Sequence, residues 1–164
     1  MKHFLFYFLT ICFVFWLQGI SNHFLGGSWF SVNFVLVVVL YFGLSRGPIV
    51  GQGVGFLWGL LTDAASLGLM GIHTLLFAAA GYTAGILRRQ LDATKVWTQT
   101  IFSFGISCLY WLVYIGLDRL FAAGDRPVSW RTAVEPLTNA IMAPLIFWLM
   151  EQWSLIWDMD PRDK

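Results

Sequence analysis

The stretch GPIVGQGVGFLWGLL, residues 47–61, places a glycine at every fourth position: Gly47, Gly51, Gly55 and Gly59. Four residues of an α-helix turn about 400°, so these glycines would form one smooth stripe about 18 Å long. Helices of water-soluble proteins avoid such a stripe, because each glycine costs about 1 kcal/mol relative to alanine. In a lipid bilayer the same stripe lets the backbone of a neighbouring helix approach closely. The stretch therefore predicts a membrane helix that packs tightly against another helix.

The composition of the whole chain indicates the same environment. Of its 164 residues, 58% are hydrophobic and 12% are charged. Globular domains carry about 25% charged residues, so this chain lacks the polar residues to cover a surface in water. Four long stretches contain no Asp, Glu, Lys or Arg: residues 3–45, 47–62, 64–87 and 96–117. Because about 20 apolar residues cross the hydrocarbon core of a bilayer, we expect a polytopic membrane protein.

The apolar stretches divide into six predicted transmembrane spans, which would form a compact all-α bundle and a single integral membrane domain, residues 1–164. The spans are predicted at residues 4–20, 29–44, 49–61, 67–87, 96–121 and 134–150. Pro48 suits the first turn of the third helix. We expect the first span to be retained rather than cleaved as a signal peptide, because the residues that follow it offer no small-residue cleavage site.

Basic residues near the span ends indicate the orientation in the membrane. With both termini in the cytoplasm, seven basic residues lie inside and three lie outside. The inside set is Lys2, Arg46, Arg88, Arg89, Lys95, Arg162 and Lys164, and the outside set is Arg119, Arg126 and Arg131. We therefore predict an N-in, C-in topology, in which Arg46, Arg88 and Arg89 anchor the helices at cytoplasmic lipid headgroups.

Three polar residues in the apolar part of the chain are candidate structural or partner contacts: Asn33, Asp63 and Asn139. An acid enclosed by apolar stretches is a functional candidate, and Asp63 could cap the following helix, contact a partner or relay a proton or an ion. The cap is favoured, and a relay would lack a second acid in either flanking span. Asn33 and Asn139 are predicted to make interhelical hydrogen bonds. Glu135 and Asp118 are predicted to lie in an exposed rim of charges.

A second set of small residues lies in the fourth span, where Gly81 and Gly85 repeat the four-residue spacing. Two such helices favour close packing between the third and fourth spans. Docking of a helix from another protein onto the same glycines is the alternative. The sequence leaves both interpretations open.

The sequence offers no template for catalysis, for a cofactor or for a metal site. It contains no HExxH pair and no GxxxxGK[ST] loop. His3, His23 and His73 are predicted near different span ends. Cys12 and Cys108 lie inside apolar spans, which suggests neither a disulfide framework nor a metal site. No basic stripe suits nucleic acid. From the missing catalytic and metal-binding motifs we expect a non-enzymatic membrane protein without a cofactor.

Three stretches together resemble the MreD family of rod shape-determining bacterial membrane proteins. They are GVGFLWGLLTDAASLGLMGIHTLLFAAAGYTAGILRRQL at residues 53–91, NFVLVVVLYFGLSRG at 33–47 and TNAIMAPLIFWLM at 138–150. Their order and spacing extend the resemblance over nearly the whole chain. One departure is Val32, where many relatives have a proline before the residue that opens the second span.

The resemblance implies a scaffold of the cell-elongation machinery in the bacterial cytoplasmic (inner) membrane. Its direct partner would be MreC, and MreB filaments, the RodA glycosyltransferase and a transpeptidase would belong to the larger complex, which organises peptidoglycan synthesis and rod shape. A homodimer within that complex is left open, and membrane lipids surround the bundle. The family is also similar in fold to the S components of energy-coupling-factor transporters. The alternative function is therefore a substrate-binding subunit of a vitamin or other small-molecule transporter.

Overall fold

The computed structural model describes residues 2–25, 31–65, 70–121 and 130–157. Within these ranges the chain forms six α-helices and no β-strand. The helices are α1 (Lys2–Leu25), α2 (Phe34–Arg46), α3 (Pro48–Ala65), α4 (Ile72–Leu87), α5 (Val96–Phe121) and α6 (Trp130–Ile156). The predicted all-α class and the order of helices are confirmed.

The helix boundaries differ from the predicted spans where a local signal was overlooked. Helix α2 begins at Phe34 rather than at residue 29, because the Asn33 side chain caps it by accepting a hydrogen bond from the Leu36 backbone N–H (3.0 Å). Helix α4 begins at Ile72 rather than at residue 67, since Gly71 adopts a left-handed conformation (φ +99°) that ends the preceding turn. Helices α1, α3 and α6 extend beyond the predicted spans at both ends.

Successive helices run in opposite directions, so the helix ends gather at two opposite ends of the bundle. Arg46, Arg88 and Val96 lie at one end, where α2 and α4 finish and α5 begins. We call this the arginine end. The aspartate end lies opposite and contains Asp63, where α3 finishes and α4 begins. Helices α1 and α6 bring both described chain ends to the arginine end, where the ring centroids of Phe6 and Trp157 lie 6.3 Å apart.

Helix α2 is the centre of the bundle. Every residue from Val35 to Leu44 is buried, and the helix packs against α3, α4 and α6. A helix that is hydrophobic on all sides is stable only when other helices surround it. The run of valines and leucines in residues 35–40 therefore forms the core rather than a lipid-facing surface.

Among the described residues, two helices have the length and hydropathy required to cross a membrane: Val96–Phe121, and Ala133–Ile156 within α6. Three further apolar helices are shorter, at Leu5–Ser21, Phe34–Arg46 and Ile72–Leu87. Helix α5 exposes large apolar side chains along most of its length, including Trp97, Ile101 and Leu112. Such an outward face is suited to lipid rather than to water.

Candidate functional site

The glycine stripe of α3 is covered by α4 from within the same chain. A Cβ atom added to Gly51 would lie 2.5 Å from the carbonyl oxygen of Gly81. Added Cβ atoms on Gly55 and Gly59 would overlap the α4 backbone at Phe77 and Thr74. This face of α3 therefore packs backbone against backbone and offers no groove to another protein's helix.

The small residues of α4 face the same contact from the other side. A Cβ atom on Gly81 would overlap the Gly51 carbonyl group, and one on Gly85 would overlap Pro48 at the start of α3. Gly43 of α2 joins them, since a Cβ atom there would lie 2.5 Å from the Gly81 carbonyl oxygen. Sequence analysis missed Gly43, although it continues the four-residue spacing toward the N-terminus.

Gly47 differs from the other glycines of the predicted stripe. It lies outside α3, at the C-terminal end of α2, with a φ angle of +95°. Its N–H donates to the Gly43 carbonyl oxygen (2.9 Å), and its own carbonyl accepts from the Gly51 N–H (3.0 Å). A side chain is disfavoured in this conformation, so Gly47 is required by the turn between the two helices rather than by the stripe.

Asp63 caps α4 from a distance of eight to eleven residues along the chain. Its carboxylate is 1% exposed. Its Oδ2 atom accepts from the backbone N–H groups of Gly71 (3.0 Å) and Thr74 (2.9 Å), and from the Thr74 hydroxyl (2.5 Å). Its Oδ1 atom accepts from the His73 N–H (3.1 Å). Because Gly71 has no side chain to cap the helix, Asp63 supplies both the acceptors and the negative charge that a helix N-terminus favours.

His73 connects this cap to α5. Its Nδ1 atom and the Tyr110 hydroxyl share a hydrogen bond of 2.8 Å. The imidazole ring stacks on the Tyr114 ring, with centroids 5.2 Å apart, and on the Phe77 ring at 6.0 Å. Helices α4 and α5 are therefore joined by a polar and aromatic contact, which no local sequence pattern predicts.

Asn33 and Asn139 make hydrogen bonds that join three helices. The backbone N–H of Asn33 donates to the Asn139 side-chain oxygen (2.8 Å), and the Asn139 amide donates to the Ser107 hydroxyl (3.0 Å). Asn139 is fully buried and thereby joins α2, α5 and α6. Gln18 adds α1, because its amide donates to the Val32 carbonyl (3.1 Å) and accepts from the Phe34 N–H (2.9 Å).

Glu135 is buried, so its predicted place in an exposed rim of charges is wrong. Its side chain is 7% exposed and lies beside the side chains of Asn33, Trp111 and Asn139. Its Oε1 atom makes no hydrogen bond to any residue in the described part of the chain. The sequence placed Glu135 near a span boundary but could not show that α6 begins earlier and turns this residue inward.

These residues form one polar layer across the aspartate end, because Ser107 and Tyr110 lie about one turn apart on α5 and make hydrogen bonds to Asn139 and His73. We define the polar layer by its members: Asn33, Asp63, His73, Ser107, Tyr110, Glu135 and Asn139. Within the described ranges no group of three His, Cys, Asp or Glu side chains is placed to hold a metal ion. The hydrogen bonds of the layer join the ends of separate helices and fix their relative positions.

The three predicted anchors lie together at the arginine end, each in a different environment. The Arg46 guanidinium lies over the Phe6 ring, 5.8 Å from its centroid. Arg88 is half-buried beside Gly47, whereas Arg89 is exposed. In the following turn Asp92 accepts hydrogen bonds from the Thr94 hydroxyl (2.6 Å) and N–H (3.1 Å), which lower the pKa of its carboxyl group.

The comparison with known proteins agrees with the residues that define this bundle. No solved structure matches the chain. The family model described as rod shape-determining protein MreD matches residues 1–153, a range that includes the glycine contact, Asp63 and the whole polar layer. The chain belongs to the MreD family of rod shape-determining membrane proteins.

Proposed function

We propose that this protein is a non-enzymatic scaffold of the bacterial cell-elongation complex that binds the membrane helix of MreC. The observation that carries the proposal is the family match over residues 1–153. In this proposal all six helices cross the inner membrane, with the arginine end in the cytoplasm. MreB filaments, RodA and its transpeptidase partner are reached through MreC, so that the bundle helps to organise peptidoglycan synthesis.

Because α4 covers the glycine stripe of α3, MreC would bind a surface on the outside of the bundle. Two glycines of α5, Gly105 and Gly116, have no heavy atom within 4 Å of an added Cβ atom. They lie on one side of the helix with three other exposed residues, Ile101, Cys108 and Leu112. We call these five residues the α5 outer face. Exposed glycines let a foreign helix come close to the backbone, which is how helices associate in lipid.

The way α5 packs supports the same choice. Its buried residues are all polar: Gln99, Ser103, Ser107 and Tyr110. Phe102 and Ile106 pack half-buried against the core, whereas the exposed apolar side chains of α5, such as Ile101 and Leu112, point away from it. By contrast, α3 has one outward glycine, Gly53, which is not part of the stripe. Its stripe glycines Gly51, Gly55 and Gly59 face α4.

Site-specific photocrosslinking in intact membranes tests this assignment. A photoreactive amino acid replaces Leu109, which is exposed beside Gly105, and a matched control replaces the exposed Leu57 of α3. We expect a crosslink to MreC from position 109 and none from position 57. Crosslinks from position 109 to a second copy of this chain alone would assign the face to a homodimer and refute the MreC assignment.

Four polar residues within the spans, Gln52, Thr83, Ser107 and Asn139, do not support the transporter-subunit alternative. It requires a cavity on which polar side chains within the spans converge. Ser107 and Asn139 bond to each other, and the Thr83 hydroxyl donates to the carbonyl of Ala79 on its own helix (2.7 Å). Gln52 is exposed. A ligand retained by the purified protein, or co-purification with a transport ATPase, would revive this hypothesis.

A further inference from the structure

A pocket at the arginine end is separate from the polar layer. It has a volume of about 340 Å³ and lies between the ends of α2, α4 and α6, the start of α5 and the turn that joins α4 to α5. Small-molecule sites are about 300 to 1,000 Å³, so the pocket has room for a small polar group. Its lining includes Tyr41, Arg88, Gln99, Phe147 and Glu151.

Two polar atoms in this lining are buried without a hydrogen-bond partner among the residues that the structure describes. Tyr41 is 4% exposed, and its hydroxyl makes no hydrogen bond within the described ranges. Gln99 is 8% exposed, and its Oε1 atom has no partner. The Gln99 amide nitrogen donates to the Ala93 carbonyl (2.7 Å), which fixes the orientation of the free oxygen. Buried polar groups are almost always satisfied, so these two atoms indicate a bound molecule that supplies hydrogen-bond donors.

The charges around the pocket restrict what that molecule is. Arg88 presents a guanidinium, whose planar fork matches a phosphate. Asp92 and Glu151 present carboxylates in the same lining, which disfavour a ligand carrying only negative charge. The Asp92 carboxylate lies 3.5 Å from the Lys95 ammonium, and the Glu151 carboxylate adds negative charge to the same lining. The molecule should therefore carry both a phosphate and a positively charged donor.

We propose that this pocket binds a phosphoethanolamine group. In this assignment Arg88 holds the phosphate, and the ammonium donates to the Gln99 oxygen, the Tyr41 hydroxyl oxygen and Glu151. An ammonium has three N–H donors and no acceptor, which is the complement of those three oxygens. The same chemistry is available from the headgroup of phosphatidylethanolamine or from the free headgroup. Trp97 is exposed at the start of α5, as tryptophans are at the boundary between a membrane and water.

Titration calorimetry on the detergent-solubilised full chain tests the ligand chemistry. Short-chain phosphatidylethanolamine is compared with phosphatidylcholine, which lacks N–H donors, and with phosphatidylglycerol, which lacks the cation. We expect phosphatidylethanolamine to bind about tenfold more tightly than either. Binding of free glycerophosphoethanolamine with the same preference would identify a soluble source, and its failure to bind would identify the lipid. Equal affinity for the three lipids would overturn the proposal.

Two adjacent arginines provide a matched pair of variants. Arg88→Gln should weaken phosphatidylethanolamine binding by about tenfold or more, whereas Arg89→Gln should leave it unchanged, because Arg89 does not line the pocket. Tyr41→Phe removes a hydroxyl that has no partner, so the variant should fold normally and bind several-fold more weakly. Equal binding by the two arginine variants would refute the site. If Arg88→Gln does not fold, unchanged affinity in Tyr41→Phe would refute it instead.

Discussion

The contact between α3 and α4 and the contact between α5 and the rest of the bundle are opposite solutions to packing helices in lipid. Helices α3 and α4 meet through glycine, so that backbone touches backbone from Gly51 to Gly59. The four fully buried side chains of α5 all carry polar groups, and hydrogen bonds attach the helix to α4 and α6. Without a hydrophobic driving force between helices, either close approach or hydrogen bonding must supply the attraction. The first contact should therefore fail through steric overlap and the second through loss of single hydrogen bonds.

The largest expected effect is in the glycine contact. In Gly55→Leu the new side chain would collide with the backbone of α4 at Phe77. Backbone atoms in a helix cannot move aside as a flexible side chain can. The loss in free energy of unfolding should exceed about 3 kcal/mol, the upper end for an overpacked core, and should prevent folding. Fluorescence-detected size exclusion in detergent measures the folded fraction. Gly53→Leu, which enters open space two residues away, is the control and should elute as the wild type does.

The next effect is in the cap that joins α3 to the start of α4. Asp63→Ala leaves the backbone N–H groups of His73 and Thr74 without their acceptor and should cost about 2 kcal/mol. Asp63→Asn should fall between this variant and the wild type, because one of the two accepting oxygens remains. Thermal unfolding followed by circular dichroism would rank the three proteins. An unchanged midpoint in Asp63→Ala would show that the cap does not hold α4.

A smaller difference in stability is expected between alanine variants of two serines on the same face of α5. Ser107→Ala removes the acceptor for the Asn139 amide and should cost about 1 kcal/mol. Ser103→Ala should be neutral or stabilising, since the Ser103 hydroxyl is buried without a partner. Unfolding midpoints of the two variants in the same detergent provide the comparison. Equal losses would mean that the hydrogen bonds of α5 do not decide its attachment.

The smallest effect lies outside both contacts, in the turn after α4. Hydrogen bonds from Thr94 lower the pKa of Asp92 in the folded protein, so the stability they contribute is present above the unfolded value of 3.8. That contribution is lost as the pH falls from 3.8 to the lower pKa of Asp92 in the folded protein. The difference in unfolding midpoint between the wild type and Asp92→Asn should therefore shrink on acidification below 3.8. A difference that grows on acidification would contradict the hydrogen-bond assignment.

The sequence predicted the parts of this structure that depend on spacing along one helix. The four-residue glycine repeat, the apolar stretches and the position of Asp63 before a second small-residue helix indicated the all-α class, the close helix contact and the family. The MreD resemblance is confirmed by the family match over residues 1–153. These features are visible because helical periodicity is written into the sequence.

The parts that sequence analysis missed depend on which residues of separate helices meet. Glu135 is buried because α6 begins before it and turns it toward Asn33 and Asn139. The pairing of His73 with Tyr110 spans 37 residues, and nothing in the local pattern of either helix encodes it. Gln99 and Tyr41 line one pocket only because α2 ends where α5 begins.

We propose that the outward glycines of α5 hold MreC, while the inward glycines of α3 hold the bundle together. The most direct measurement is co-purification of MreC with Gly105→Leu and with Gly53→Leu, at equal amounts of folded protein. Both glycines face open space, so neither substitution should unfold the chain. We predict that Gly105→Leu loses MreC and that Gly53→Leu retains it. Retention of MreC by both variants would contradict the account.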